Sequence, residues 1–251
     1  MGWLEAGEGW PLVLLHAFPL NATMWRPQLE AVPAGWRFIA PDFRGFGAGP
    51  ALDRRVTMDE YARDVLALMD AMQIDESAVG GLSMGGYVTF ALLRQAAARF
   101  TKVVLADTRP QADTPAGLEA RLQLRAALAE RGPRAVADQM LPKLLSADAD
   151  PAIVGRVRAT IEAADARAID AAIGALMDRP DSTPDLARIA VPALVTAGEH
   201  DAVTPVSDSD VMQRAIRRSR LVVIPGAAHL ASLEQPEVFS RALADFLASA
   251  L

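Results

Sequence analysis

Gly81-Leu82-Ser83-Met84-Gly85 is the stretch that decides how this chain is read. An apolar run over 78–82 precedes the serine, and a helix-forming run over 87–98 follows it. A serine between a strand and a helix occupies a sharp, strained turn that lifts its hydroxyl clear of the sheet. Flanking glycines remove the Cβ atoms that would collide there. Ten serines and 17 glycines in 251 residues give only about 0.05 chance matches to this pattern. The five residues are therefore read as a nucleophile on a strand–turn–helix.

Working outward, short apolar runs lie at 12–16, 37–40, 78–82, 102–106, 193–197 and 221–224. Each is rich in Val, Leu, Ile or Ala and bounded by Gly, Pro or Asp, the pattern of a buried strand. Helical patterns separate them. The clearest opens at Thr57 with Glu60 three residues on, a capping box, and continues through Met58, Tyr61, Val65, Leu68, Met69 and Met72. Strands alternating with helices predict an α/β protein whose mostly parallel sheet is covered on both faces. The alternation stops between about 109 and 185. That stretch predicts three or four helices parted near Gly132-Pro133, 148–151 and Asp165, and no aromatic residue occurs from 101 to 238. The expected organisation is a core formed by 1–108 and 186–251, with a helical cap inserted at 109–185.

Composition narrows the function. The net charge of −6 and the lack of a basic run argue against nucleic acid, which is held by clustered Lys and Arg. An apolar content of 51% is enough to bury a core. With no cysteine, disulfides, thiolate nucleophiles and zinc–thiolate sites are excluded. No window offers 18 uncharged apolar residues, so no membrane span is expected. The first ten residues carry Glu5 and Glu8 and no basic-then-apolar leader, so a cytoplasmic setting is expected. Gly45-Phe46-Gly47-Ala48-Gly49 misses the dinucleotide spacing and is followed by Pro50, so it is read as a turn-rich loop. No cofactor and no metal are implied.

A serine hydroxyl needs a base. Of His16, His200 and His229, His229 is the expected base, because it follows the last strand and precedes the final helix. His16 is expected to shape the loop after its strand, and His200 to be a bystander. The acid is expected between serine and histidine in chain order. Asp201, directly after the strand at 193–197, is preferred. Asp107, after 102–106, is the rival, and Glu199 lies too near its strand. Thr204-Pro205 are expected to cap and open the next helix. An oxyanion needs two N–H donors. Met84 is one candidate, and Phe18 the other, with Ala17 behind it, since Pro19 has no N–H. Ala17, Trp25, Phe43 and Leu230 are the expected pocket lining.

Together these pieces resemble the α/β-hydrolase superfamily over essentially the whole chain. The resemblance rests on His16-Ala17-Phe18-Pro19, Pro41-Asp42-Phe43-Arg44-Gly45-Phe46-Gly47, the serine elbow, Gly198-Glu199-His200-Asp201 and Gly226-Ala227-Ala228-His229. Within the superfamily the chain is similar to small bacterial carboxylesterases and 3-oxoadipate enol-lactonase-like hydrolases, whose C-terminal stretch is like the segment 227–236. Ala17 stands where the family usually has glycine, and there is room for one strand before Leu12. The resemblance implies a serine hydrolase of short- to medium-chain carboxylic esters, working through an acyl-enzyme as a monomer or homodimer. Alternatives are an enol-lactonase, a cofactor-free perhydrolase and, outside catalysis, a ligand receptor that retains the triad. Residues 111–185 carry nine Lys and Arg against twelve Asp and Glu, which argues mildly against a carboxylate-bearing lactone.

Overall fold

The computed structural model describes residues 1–52 and 55–249. Among the described residues seven strands form one sheet: β1 Trp3–Gly7, β2 Trp10–Leu15, β3 Trp36–Pro41, β4 Ser77–Leu82, β5 Phe100–Ala106, β6 Ala193–Gly198 and β7 Ser219–Ile224. Their order is β1-β3-β2-β4-β5-β6-β7. Only β1 runs antiparallel, pairing with β3 from Trp3 opposite Pro41 to Gly7 opposite Arg37. The other five pairings are parallel. Parallel strands with both faces covered have no polar face to present, and all six residues of β4 and of β6 are buried. The strand at 221–224 differs from the expectation of a buried strand. β7 is a sheet edge with β6 as its one partner, so most of it is only half-buried and Val223 is 39% exposed.

The helices follow local chemistry. A short helix α1 (Arg26–Leu29) follows β2. In α2 (Met58–Ala71) the Thr57 side chain accepts the Glu60 N–H, as the capping box predicts. The helix after the elbow is α3 (Met84–Ala96), packed on α2 and against β2, β4 and β5. Four helices lie between β5 and β6: α4 (Pro115–Arg131), α5 (Pro133–Leu144), α6 (Pro151–Glu162) and α7 (Ala166–Met177). A proline at the first turn opens three of them, where its missing N–H is not needed. Side chains of Thr114, Asp150 and Asp165 cap α4, α6 and α7. After β6 comes α8 (Val206–Ala215), and after β7 come α9 (Ala231–Glu234) and α10 (Pro236–Ala248). Among the described residues no helix is long and apolar enough to cross a membrane.

Candidate active site

Ser83 stands between β4 and α3 with φ 55° and ψ −113°, a backbone region that L-residues rarely adopt. Its peptide is over-determined. Ser83 N–H donates to the Ala106 carbonyl at 3.0 Å, and the Ser83 carbonyl accepts from Gly86 N–H at 2.9 Å and from the Thr108 hydroxyl at 2.9 Å. The elbow admits no larger neighbours. A Cβ on Gly81 would lie 2.1 Å from the Gly85 carbonyl carbon, and one on Gly85 would lie 2.2 Å from the Leu15 carbonyl oxygen. Among the described residues the Ser83 hydroxyl makes no hydrogen bond of its own, and catalytic contacts are often loose in unliganded enzymes.

Two of the predicted site residues meet directly. His229 Nδ1 lies 2.8 Å from Asp201 Oδ2, and both side chains are almost wholly buried. The carboxylate fixes the tautomer: Nδ1 carries the proton and Nε2 keeps its lone pair. Asp201 is itself held by Val203 N–H and Thr204 N–H on Oδ1, at 2.7 and 2.9 Å, and by the Thr204 hydroxyl on Oδ2 at 2.6 Å. Burial pulls the Asp201 carboxyl upward, but His229 and the bonds from Thr204 outweigh it and bring its pKa below the ordinary carboxylate value. Thr204 does not cap the next helix as expected. Pro205 takes that position without a side-chain bond, because the Thr204 hydroxyl is committed to Asp201.

The rival acid has another place. Asp107 is fully buried, with φ 43°, and its Oδ1 accepts the Gly198 N–H at 2.7 Å, joining the end of β5 to the end of β6. Its Oδ2 has no partner among the described residues. Burial and then the negative charge of Asp201 push its pKa well above the ordinary value. His200 is exposed, and the Glu199 carboxylate beside it accepts the Gly226 N–H.

His16 organises the loop that carries Phe18. Its ring lies against Phe43 and Phe46, Nε2 accepts the Phe43 N–H at 3.0 Å, and Nδ1 donates to the Ala17 carbonyl at 3.0 Å. Complete burial, only partly offset by the Ala17 bond and Asp42, lowers its pKa to about 4, so it is neutral at physiological pH. The Ala17 carbonyl belongs to the same peptide unit as the Phe18 N–H, so His16 orients that N–H. Neither Phe18 N–H nor Met84 N–H is engaged among the described residues. Trp25 packs on Phe239, and Phe43 lies between His16 and Tyr61, which places both rings in the core. Ala17 and Leu230 are fully buried beside Phe18 and His229 in the chain. A cavity of about 630 Å³ opens between residues 20–30 and α6, with Leu20, Met24, Val157 and Leu233 among its apolar lining and Arg26, Glu30 and Arg156 among its polar residues. Among the described residues no group of three or more His, Cys, Asp or Glu is arranged to hold a metal.

The bond of Thr204 to Asp201 and that of Thr108 to Ser83 escaped the sequence reading. Thr204 left one local signal, since an aspartate commonly accepts N–H groups two and three residues ahead of it. Thr108 left none, because its partner is 25 residues away.

The family model described as "Alpha/beta hydrolase family" matches residues 12–242. The 3-oxoadipate enol-lactonase 2 of Acinetobacter baylyi is 29% identical over 235 residues, covering 92% of this chain and 86% of its own. A thermophilic esterase from Thermogutta terrifontis, solved with malate bound, superposes with a TM-score of 0.94 at 36% identity, over 98% of this chain and 92% of that one. The enol-lactonase from Burkholderia xenovorans LB400 superposes with a TM-score of 0.92 at 28% identity, over 99% and 96%. The sheet, the elbow between β4 and α3 and these likenesses lead to one conclusion: the chain has the α/β-hydrolase fold and belongs to the alpha/beta hydrolase family.

Proposed function

We propose that this protein is a serine hydrolase of carboxylic esters of short to medium chain length. The observation that carries the reading is the buried Asp201–His229 hydrogen bond, past the C-terminal ends of β6 and β7, with the strained Ser83 elbow at the C-terminal end of the parallel strand β4. Ser83 Oγ attacks the ester carbonyl while His229 Nε2 takes its proton. Asp201 holds the ring and stabilises the imidazolium that forms. The oxyanion is received by the N–H groups of Phe18 and Met84. His229 then protonates the departing alcohol, leaving an acyl-serine. Water attacks the acyl carbon, His229 takes the water's proton, and the acid leaves as Ser83 regains its hydrogen. Residues 109–185, with their four helices, serve as a cap over a core made of 1–108 and 186–251.

A lactone is a cyclic ester, and the same steps open it. Enol-lactonases among the similar proteins favour this as the second reading. A panel of p-nitrophenyl esters and of lactones with and without a carboxylate separates the two, run beside Ser83→Ala. Many turnovers per site on esters, lost in Ser83→Ala, is the expected outcome. Preference for carboxylate-bearing lactones would favour the second reading. Cleavage that stops at one equivalent would point to a ligand receptor.

A further inference from the structure

Glu234 stands outside the triad yet joins the residue before His229 to the segment after α5. Its Oε2 accepts the Ala228 N–H at 2.8 Å, one residue before His229, and its Oε1 accepts the Ser146 N–H at 2.8 Å, just beyond α5. Residue 230, one after His229, donates its N–H to the Leu144 carbonyl at the end of α5, at 3.0 Å. The backbone on both sides of His229 is thus tied to one segment, 144–146, of the four-helix insertion. A carboxylate suits this place because both of its oxygens are acceptors and both neighbours are donors.

We propose that Glu234 is a positioning residue that locks the His229 ring to the seated cap, so that the base is aligned only while segment 144–146 is docked. The proposal rests on the serine-hydrolase reading above. It deepens that reading by naming what couples the cap to catalysis.

Glu234→Gln keeps the length and shape but offers one acceptor and one NH₂ group to two N–H donors, so one donor is opposed. An unpaired, opposed donor beside the base is expected to lower kcat about tenfold while KM stays within about threefold. An amide-to-ester exchange at residue 146, by lactic acid in place of serine, removes the cap donor and adds no atom between it and Glu234. That variant alone is expected to cost less than about threefold in kcat. The same exchange combined with Glu234→Gln lets the amide oxygen face Ala228 while the NH₂ group faces the ester oxygen, and kcat is expected to return to within about threefold of wild type. Wild-type kcat in Glu234→Gln overturns the proposal, as does a folded double variant no better than Glu234→Gln. If Glu234→Gln does not fold, the double variant alone decides, by the same threshold against wild type. The hydrogen-bonded Nδ1 proton of His229, identified by its absence in His229→Asn, gives a readout independent of turnover. It is expected to broaden or shift in Glu234→Gln and to recover in the double variant, and an unchanged signal overturns the proposal. Ser83→Ala run alongside isolates the parent reading: full activity there defeats the serine mechanism, and the proton signal still tests the lock.

Discussion

Asp201 and His229 come from different strand ends, 28 residues apart, yet Oδ2 of one lies 2.8 Å from Nδ1 of the other with both side chains out of solvent. The second carboxylate near this pair, Asp107, spends its one bonded oxygen on the Gly198 backbone. The two acids therefore have separate places, one holding the His229 ring and the other joining strand ends.

Asp201→Asn is expected to cost about 10⁴ in kcat, since an amide facing Nδ1 favours the wrong tautomer. Asp107→Asn is expected to stay within about tenfold, because an amide oxygen still accepts the Gly198 N–H. Steady-state kinetics on one ester decides this, and a dead Asp107→Asn beside an active Asp201→Asn would assign the acid to the wrong strand. Stability separates the variants as well. The folded chain holds the Asp107 proton above the pH at which the unfolded chain releases it. Wild-type stability from this group is full below the ordinary carboxylate pKa and is lost as pH rises toward the raised value. The melting temperature of Asp107→Asn relative to wild type is therefore expected to grow between pH 4 and pH 8.

His16 has the opposite sign. An unfolded histidine takes up a proton near 6.5, whereas the folded one refuses it until about 4. Stability from this group is complete above the unfolded value and is lost as pH falls through that window, by about 3 kcal/mol at most. Urea midpoints measured from pH 7 to pH 4 are expected to fall less steeply in His16→Asn than in wild type. At pH 7 the variant should lose kcat more than it gains KM, because the Phe18 N–H is no longer oriented. Parallel pH slopes would remove His16 from the account.

Acyl chain length tests whether residues 109–185 roof the substrate. Aliphatic lining gains about 0.8 kcal/mol for each buried methylene, or about fourfold in kcat/KM when fully realised. A pocket roofed by residues 109–185 would set an upper limit. For p-nitrophenyl esters kcat/KM is expected to climb from acetate to butyrate or hexanoate and then fall. A steady rise to palmitate would mean an open groove, and a preference for acetate over all longer chains a much smaller pocket.

Much of the architecture was legible because it is local. The six apolar runs found their strands within about two residues at either end, and the Thr57 capping box opened its helix. Breaks near Gly132-Pro133, 148–151 and Asp165 matched the gaps between four helices. The exposure of β7 was not legible, since composition does not say which strand ends a sheet. At the site, chain order was enough to put Asp201 before His229. The partners that hold them were hidden, because Glu234 to Ser146 and Thr108 to Ser83 are contacts 88 and 25 residues apart. Thr204 misled through a real local preference: threonine before proline does favour a helix start, but a buried carboxylate competed for the same hydroxyl.

Covalent labelling asks whether Ser83 is the nucleophile. The protein is titrated with a sulfonyl fluoride or an alkyl phosphonate, residual esterase activity is followed, and the modified peptide is mapped by mass spectrometry. One equivalent of label on Ser83, rising in step with the loss of activity and absent in Ser83→Ala, is the predicted result. Complete inactivation with the label on another residue, or with Ser83 unmodified, would contradict the account.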